Sequence, residues 1–149
     1  MNKTAAVTAA VLAAVLGGIA VAPQASAATS LSSRALSVAK SKQGDPYRYG
    51  AAGPSRFDCS GLTYYSFKRV GKTLPRTAQS QYNHVHHIAA TSRKPGDLVF
   101  FGGTHSIYHV GIYAGSGKIV NANSGHYRGY KVVTAPIGEY GRSVHYGRV

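Results

Sequence analysis

Residues 95–123 read PGDLVFFGGTHSIYHVGIYAGSGKIVNAN, and here the hydrophobic period of the chain changes from helical to alternating. Beyond Pro95-Gly96, residues 97–101, 109–114 and 118–123 read as strands rich in β-branched and aromatic side chains. Gly115-Ser116-Gly117 reads as the hairpin loop between the last two. With that loop, Ala114 pairs with Lys118, Gly111 faces Asn121 and His109 faces Asn123. His109 and Asn121 then share a sheet face one diagonal step apart, within side-chain reach. Gly111 lies between them on that face and leaves room for a substrate or a second side chain, while Val110 and Ile112 point the other way. Residues 130–134 and 143–149 are weaker strand candidates.

Upstream, the pattern is helical. Residues 30–42 place Leu31, Ala35, Val38 and Ala39 at helical spacing, and Gly44 ends the run. Residues 44–57 are rich in Gly, Pro and aromatics and read as an ordered loop. Asp58 caps a helix over 59–70, with Leu62, Tyr65, Phe67 and Val70 as its apolar positions. Gly71 and Pro75 stop it, and Thr77 caps a further short helix over 77–87. Helices followed by an antiparallel sheet make an α+β domain.

Composition narrows the chemistry. The chain has 149 residues and a formal charge of +13, from 17 Lys plus Arg against 4 Asp plus Glu. Four acids leave little room for a carboxylate-rich cation site, and one Cys excludes both a disulfide scaffold and zinc sites built on paired thiolates. No phosphate-binding glycine loop is present. Lys3, the apolar run over 5–22 and Ala25-Ser26-Ala27 together read as a signal peptide over residues 1–27, with a retained anchor as the alternative. The expected mature domain is 28–149, exported, with 16 basic and 4 acidic groups.

Outside the cytosol a lone thiol is exposed to oxidation, so it is either a buried small apolar group or a nucleophile. Cys59 follows Asp58 at the expected start of a helix, in Phe57-Asp58-Cys59-Ser60-Gly61-Leu62. Free backbone N–H groups and the helix dipole there favour thiolate over thiol. Such a nucleophile needs an imidazole base. His84, His86 and His87 fall on one expected helix without the i, i+4 spacing of a metal pair, and read as a solvated face. His105, His126 and His145 have no evident orienting partner. His109 does: the amide oxygen of Asn121 can accept from its far N–H and fix its tautomer, although Asn121 alone is equally consistent with a local structural role.

The ordered blocks Pro46-Tyr47-Arg48-Tyr49-Gly50, Phe57 to Leu62, Leu74-Pro75-Arg76-Thr77, Pro95 to Phe101 and His109-Val110-Gly111-Ile112-Tyr113 resemble the NlpC-type cysteine peptidases of bacterial cell walls. The resemblance spans nearly all of 33–149. It implies a papain-like α+β fold, with N-terminal helices packed on a small antiparallel β-sheet. It also implies hydrolysis of peptidoglycan stem peptides, often between γ-D-Glu and a diamino acid, with no metal or organic cofactor.

By the same resemblance Cys59 is the nucleophile, His109 its base and Asn121 the third polar member. Tyr47 lies at the oxyanion site, and Asp58, Ser60 and Arg76 meet the substrate. Tyr49, Ala51 and Ala78 depart from the family's usual Trp, Gly and Ser, and Ala78 removes one substrate hydrogen bond. The basic residues Arg128, Lys131, Arg142 and Arg148 alternate with Tyr127, Tyr130, Tyr140 and Tyr146 and read as solvated strand faces. Anionic wall polymers, rather than nucleic acid, are their expected partners. An amidase, a transferase, a silent wall-binding module and an antibacterial effector remain as alternative readings.

Overall fold

The computed structural model of the chain describes Gly18 and residues 29–149 except His126. The expected signal peptide therefore lies, Gly18 aside, outside the described residues. Three helices precede most of the sheet: α1 (Leu31–Ser41), α2 (Cys59–Arg69) and α3 (Ala78–His84). Six strands follow: β1 (His86–Ile88), β2 (Leu98–Gly103), β3 (Ser106–Gly115), β4 (Lys118–Ser124), β5 (Tyr130–Pro136) and β6 (Val144–Arg148). They form one antiparallel sheet in the order β1-β6-β2-β3-β4-β5.

Each helix starts where a short polar side chain satisfies a free backbone N–H. Ser30 accepts from the Ser33 amide, Asp58 from Gly61, and Thr77 forms a reciprocal capping box with Ser80. Leu98 and Phe100 of β2 pack toward α1 and α2 with Ala35, Leu62, Phe67, Val110 and Ile112. Val99 and Phe101 join a second cluster with Tyr113, Ile119, Val133 and Tyr140. Burial of both faces of β2 explains why Leu98-Val99-Phe100-Phe101 is apolar throughout.

Three expectations change. The helix over 77–87 stops at His84, because Val85 is extended and buries its side chain against Gly147. His86 and His87 lie instead on β1, where His87 stacks on Tyr82 at 4.2 Å and its Nε2 meets the Tyr82 carbonyl at 2.7 Å. The β3–β4 hairpin turns on two residues, Ser116 and Gly117, both with positive φ, and Gly115 rather than Ala114 pairs with Lys118. Ala114 bulges, so the shorter turn and the extra residue offset each other. Tyr113 still faces Ile119, as the three-residue loop had implied.

Nor are the alternating Arg and Tyr residues all solvated. Tyr140 and Tyr146 are buried, and Arg148 binds the buried Asp97 through two hydrogen bonds of 2.8 Å. Asp97 also accepts from the Lys94 amide, which closes the turn into β2. Arg148→Ala strands that carboxylate. It is expected to lower the unfolding free energy by about 2 kcal/mol, less than for a fully buried pair because the guanidinium is partly solvated. Urea denaturation measures this, and Arg148→Lys is expected to recover only part of it.

Candidate active site

The loop over 44–57 and the first turn of α2 lock together through one carboxylate. Asp58 accepts from the Gly61 amide at 2.6 Å and the Gly50 amide at 2.9 Å. It also takes both terminal nitrogens of Arg76, at 3.0 and 2.8 Å. Arg76 in turn donates to Ser60 Oγ at 2.9 Å. These hydrogen bonds to Asp58 hold the Arg76 guanidinium firmly charged. A side chain on Gly61 would run into the Ala51 carbonyl, so the loop can close over the helix start only with glycine there. The Ala51 carbonyl also accepts from the Asp58 amide, a backbone contact that its methyl group leaves intact.

This clamp fixes Cys59 at the first position of α2. The thiol is half-buried and packs against the helix-side core, with amides of Val110, Ser60 and Cys59 directed at it. Burial pushes the Cys59 thiol up despite those three amides. Desolvation, which favours the thiol, here opposes the helix terminus, which favours the thiolate.

Val110 brings its neighbour His109 to the same place. At this point β3 carries a bulge: Phe101 faces His109 while Gly102 faces Ile107, so Tyr108 is the extra residue. The His109 ring is buried, its Nε2 lies 2.9 Å from Asn121 Oδ1, and its plane stacks on Tyr140 at 4.6 Å and 13°. Asn121 is fully buried and its Nδ2 donates to the Val133 carbonyl. That bond points Oδ1 at the imidazole, so Nε2 carries a proton and Nδ1 of the neutral ring is the basic nitrogen. Gly111 permits this close approach, since a Cβ there would lie 3.1 Å from that of Asn121.

A cavity of about 480 Å³ opens over the thiol, lined by Tyr47, Tyr49, Gly50, Asp58, Cys59, Ser60, Arg76, Thr77, Ala78 and Tyr108. Burial, then the nearby Cys59 and Asp58, push the Tyr47 phenol up, so its hydroxyl stays protonated and able to donate. Of the seven residues expected at the site, Tyr47, Asp58, Cys59, Ser60 and Arg76 line this cavity, while His109 and Asn121 pair beside Val110, whose amide meets the thiol. Asp58 is so fully engaged that the charge it offers a ligand is the Arg76 it holds. His105 and His145 are elsewhere; His145 Nε2 meets the Gly102 carbonyl at 3.0 Å. His126 lies outside the described residues.

Two neighbours of His109 escaped sequence reading, Tyr108 and Tyr140. Both act through contacts between distant segments: the Tyr108 hydroxyl donates to the Tyr140 carbonyl at 2.5 Å. No local pattern signals either.

The sequence profile described as the NlpC/P60 family matches residues 44–140. The chain is 49% identical over 85 residues to the bifunctional muramidase/DL-endopeptidase CwlT of Bacillus subtilis (strain 168), covering 54% of this chain and 26% of CwlT. The P60 domain of an antigen from M. avium subspecies paratuberculosis superposes with a TM-score of 0.69 at 30% identity, covering 79% of this chain and 93% of that one. The peptidoglycan hydrolase RipB of Mycobacterium tuberculosis also gives 0.69 at 30% identity, over 79% and 64% of the two chains. The chain spans less than half the length of the curated relatives it matches. The fold of these structural neighbours is the papain-like α+β arrangement implied by the sequence.

Proposed function

This chain belongs to the NlpC/P60 family, and from that premise we propose that it is a secreted cysteine endopeptidase cutting peptidoglycan stem peptides at the γ-D-Glu–diamino acid bond. One observation carries the reading: a thiol at a helix start, against the strand that holds an imidazole oriented by a buried amide.

In this reading His109 Nδ1 takes the Cys59 proton as sulfur attacks the amide carbonyl. The Cys59 backbone N–H and the Tyr47 hydroxyl donate to the oxyanion. His109 then protonates the leaving amine, and the C–N bond breaks to give a thioester. Water, deprotonated by His109, attacks the thioester; the acid product leaves and the thiol is restored. Asp58, Ser60 and Arg76 shape the acyl side of the site, and Ala78 narrows its hydrogen-bonding options. No step calls for a metal or organic cofactor.

Export through residues 1–27 would put the enzyme beside its polymer, and the 16 basic against 4 acidic groups of residues 28–149 draw it to anionic wall components. Among the described residues no helix is long and apolar enough to cross a membrane. Mass spectrometry of stem peptides and intact peptidoglycan after incubation with the protein tests the bond assignment. New termini after D-Glu are expected. Release of whole stems from the sugar would instead make the protein an amidase.

A further inference from the structure

The cleft continues past the thiol. Tyr108, lifted out of β3 by the bulge and 61% exposed, walls both the Cys59 cavity and a second cavity of about 420 Å³. The second is lined by Tyr108, His109, Ser124, Glu139, Tyr140 and Gly141. During cleavage the acyl half stays on Cys59 in the first cavity, while the amine takes its proton from His109. The leaving residue therefore departs on the His109 side, into the second cavity.

The charge there runs against that of the chain as a whole. Only four acids face 17 Lys and Arg. Asp58 is bound to Arg76 and Asp97 to Arg148. Glu139 is exposed, makes no ion pair among the described residues, and shares its cavity with no Lys or Arg. It sits on the short turn Ile137–Tyr140, whose last residue stacks under His109 and accepts from the Tyr108 hydroxyl. The backbone that carries Glu139 is thus anchored beside the imidazole.

We propose that this cavity is the leaving-group subsite and that Glu139 binds an ammonium group in it, the free side-chain amine of a diamino residue. The inference rests on the peptidase reading above. A stem whose side-chain amine is already acylated in a cross-link offers no cation, so the subsite favours stems that are not cross-linked through that amine.

The test compares kcat/KM for L-Ala-γ-D-Glu-L-Lys and its Nε-acetyl form, using the purified full chain, Glu139→Gln and Glu139→Lys. The native protein is expected to prefer the free amine by about fivefold, the scale of one exposed ion pair. Glu139→Gln is expected to bring that ratio to about one, and Glu139→Lys to invert it. An unchanged ratio in both variants overturns the subsite alone. Cleavage of neither peptide by the native protein overturns the peptidase reading and the subsite with it.

Discussion

Cys59→Ala is expected to remove stem-peptide cleavage altogether while leaving the fold intact. The chain has one Cys, so no second thiol can substitute. Alanine keeps the helix start, because Asp58 caps α2 through the Gly61 amide and not through the Cys59 side chain. Loss of a nucleophile in comparable triads lowers turnover by about 10⁴-fold or more. Product formation is followed by mass spectrometry, with circular dichroism as the fold control; native turnover by the variant sinks the mechanism.

The same residue carries a pH signature. Burial raises the thiol above its ordinary range, so the reactive thiolate is scarce below that raised pKa and accumulates only as pH passes through it. Alkylation of Cys59 by iodoacetamide should therefore accelerate with pH and level off above about 8.5, the ordinary cysteine value. A plateau already reached below neutrality would mean that an imidazolium ion pair, rather than desolvation, sets the resting state.

How much of this could be read from the sequence depends on the range of each contact. The Asp58 cap and Cys59 position are three-residue facts, and Asp58-Cys59-Ser60-Gly61 states them outright. The His109–Asn121 pair spans 12 residues, yet a tight hairpin fixes its register, and the Ala114 bulge happens to restore the pairing implied by a longer loop. Longer contacts left no such trace. β6 inserts between β1 and β2, so Arg148 reaches Asp97 across 51 residues and Tyr140 reaches His109 across the fold. Val85 ended a helix early because its pocket against Gly147 belongs to that distant strand. The environment of the thiol divides in the same way: the helix terminus is local and legible, whereas burial is a property of the assembled core.

Asn121→Ala is expected to lower kcat about 100-fold with little change in KM, the scale of a mispositioned reacting group. In the native protein Asn121 and Tyr140 are among the residues that hold the His109 ring. The Asn121 amide fixes its tautomer through the 2.9 Å bond to Nε2, and Tyr140 lies flat against its face. Neither reaches the thiol, so both are positioning residues whose loss slows chemistry rather than binding.

Tyr140 allows the two ideas to be separated. Its hydroxyl is buried without a hydrogen bond of normal geometry, while its ring provides the stacking surface. Tyr140→Phe keeps the ring and removes only a hydroxyl that meets the Asn121 side chain without normal hydrogen-bond geometry, so kcat should hold and stability should change little. Tyr140→Ala opens space beside the imidazole and should approach the Asn121→Ala loss in kcat. A Tyr140→Phe variant as slow as Tyr140→Ala would show that the hydroxyl, not the ring, positions His109. Equal, native-like rates in all three variants would mean that β3 alone orients the base.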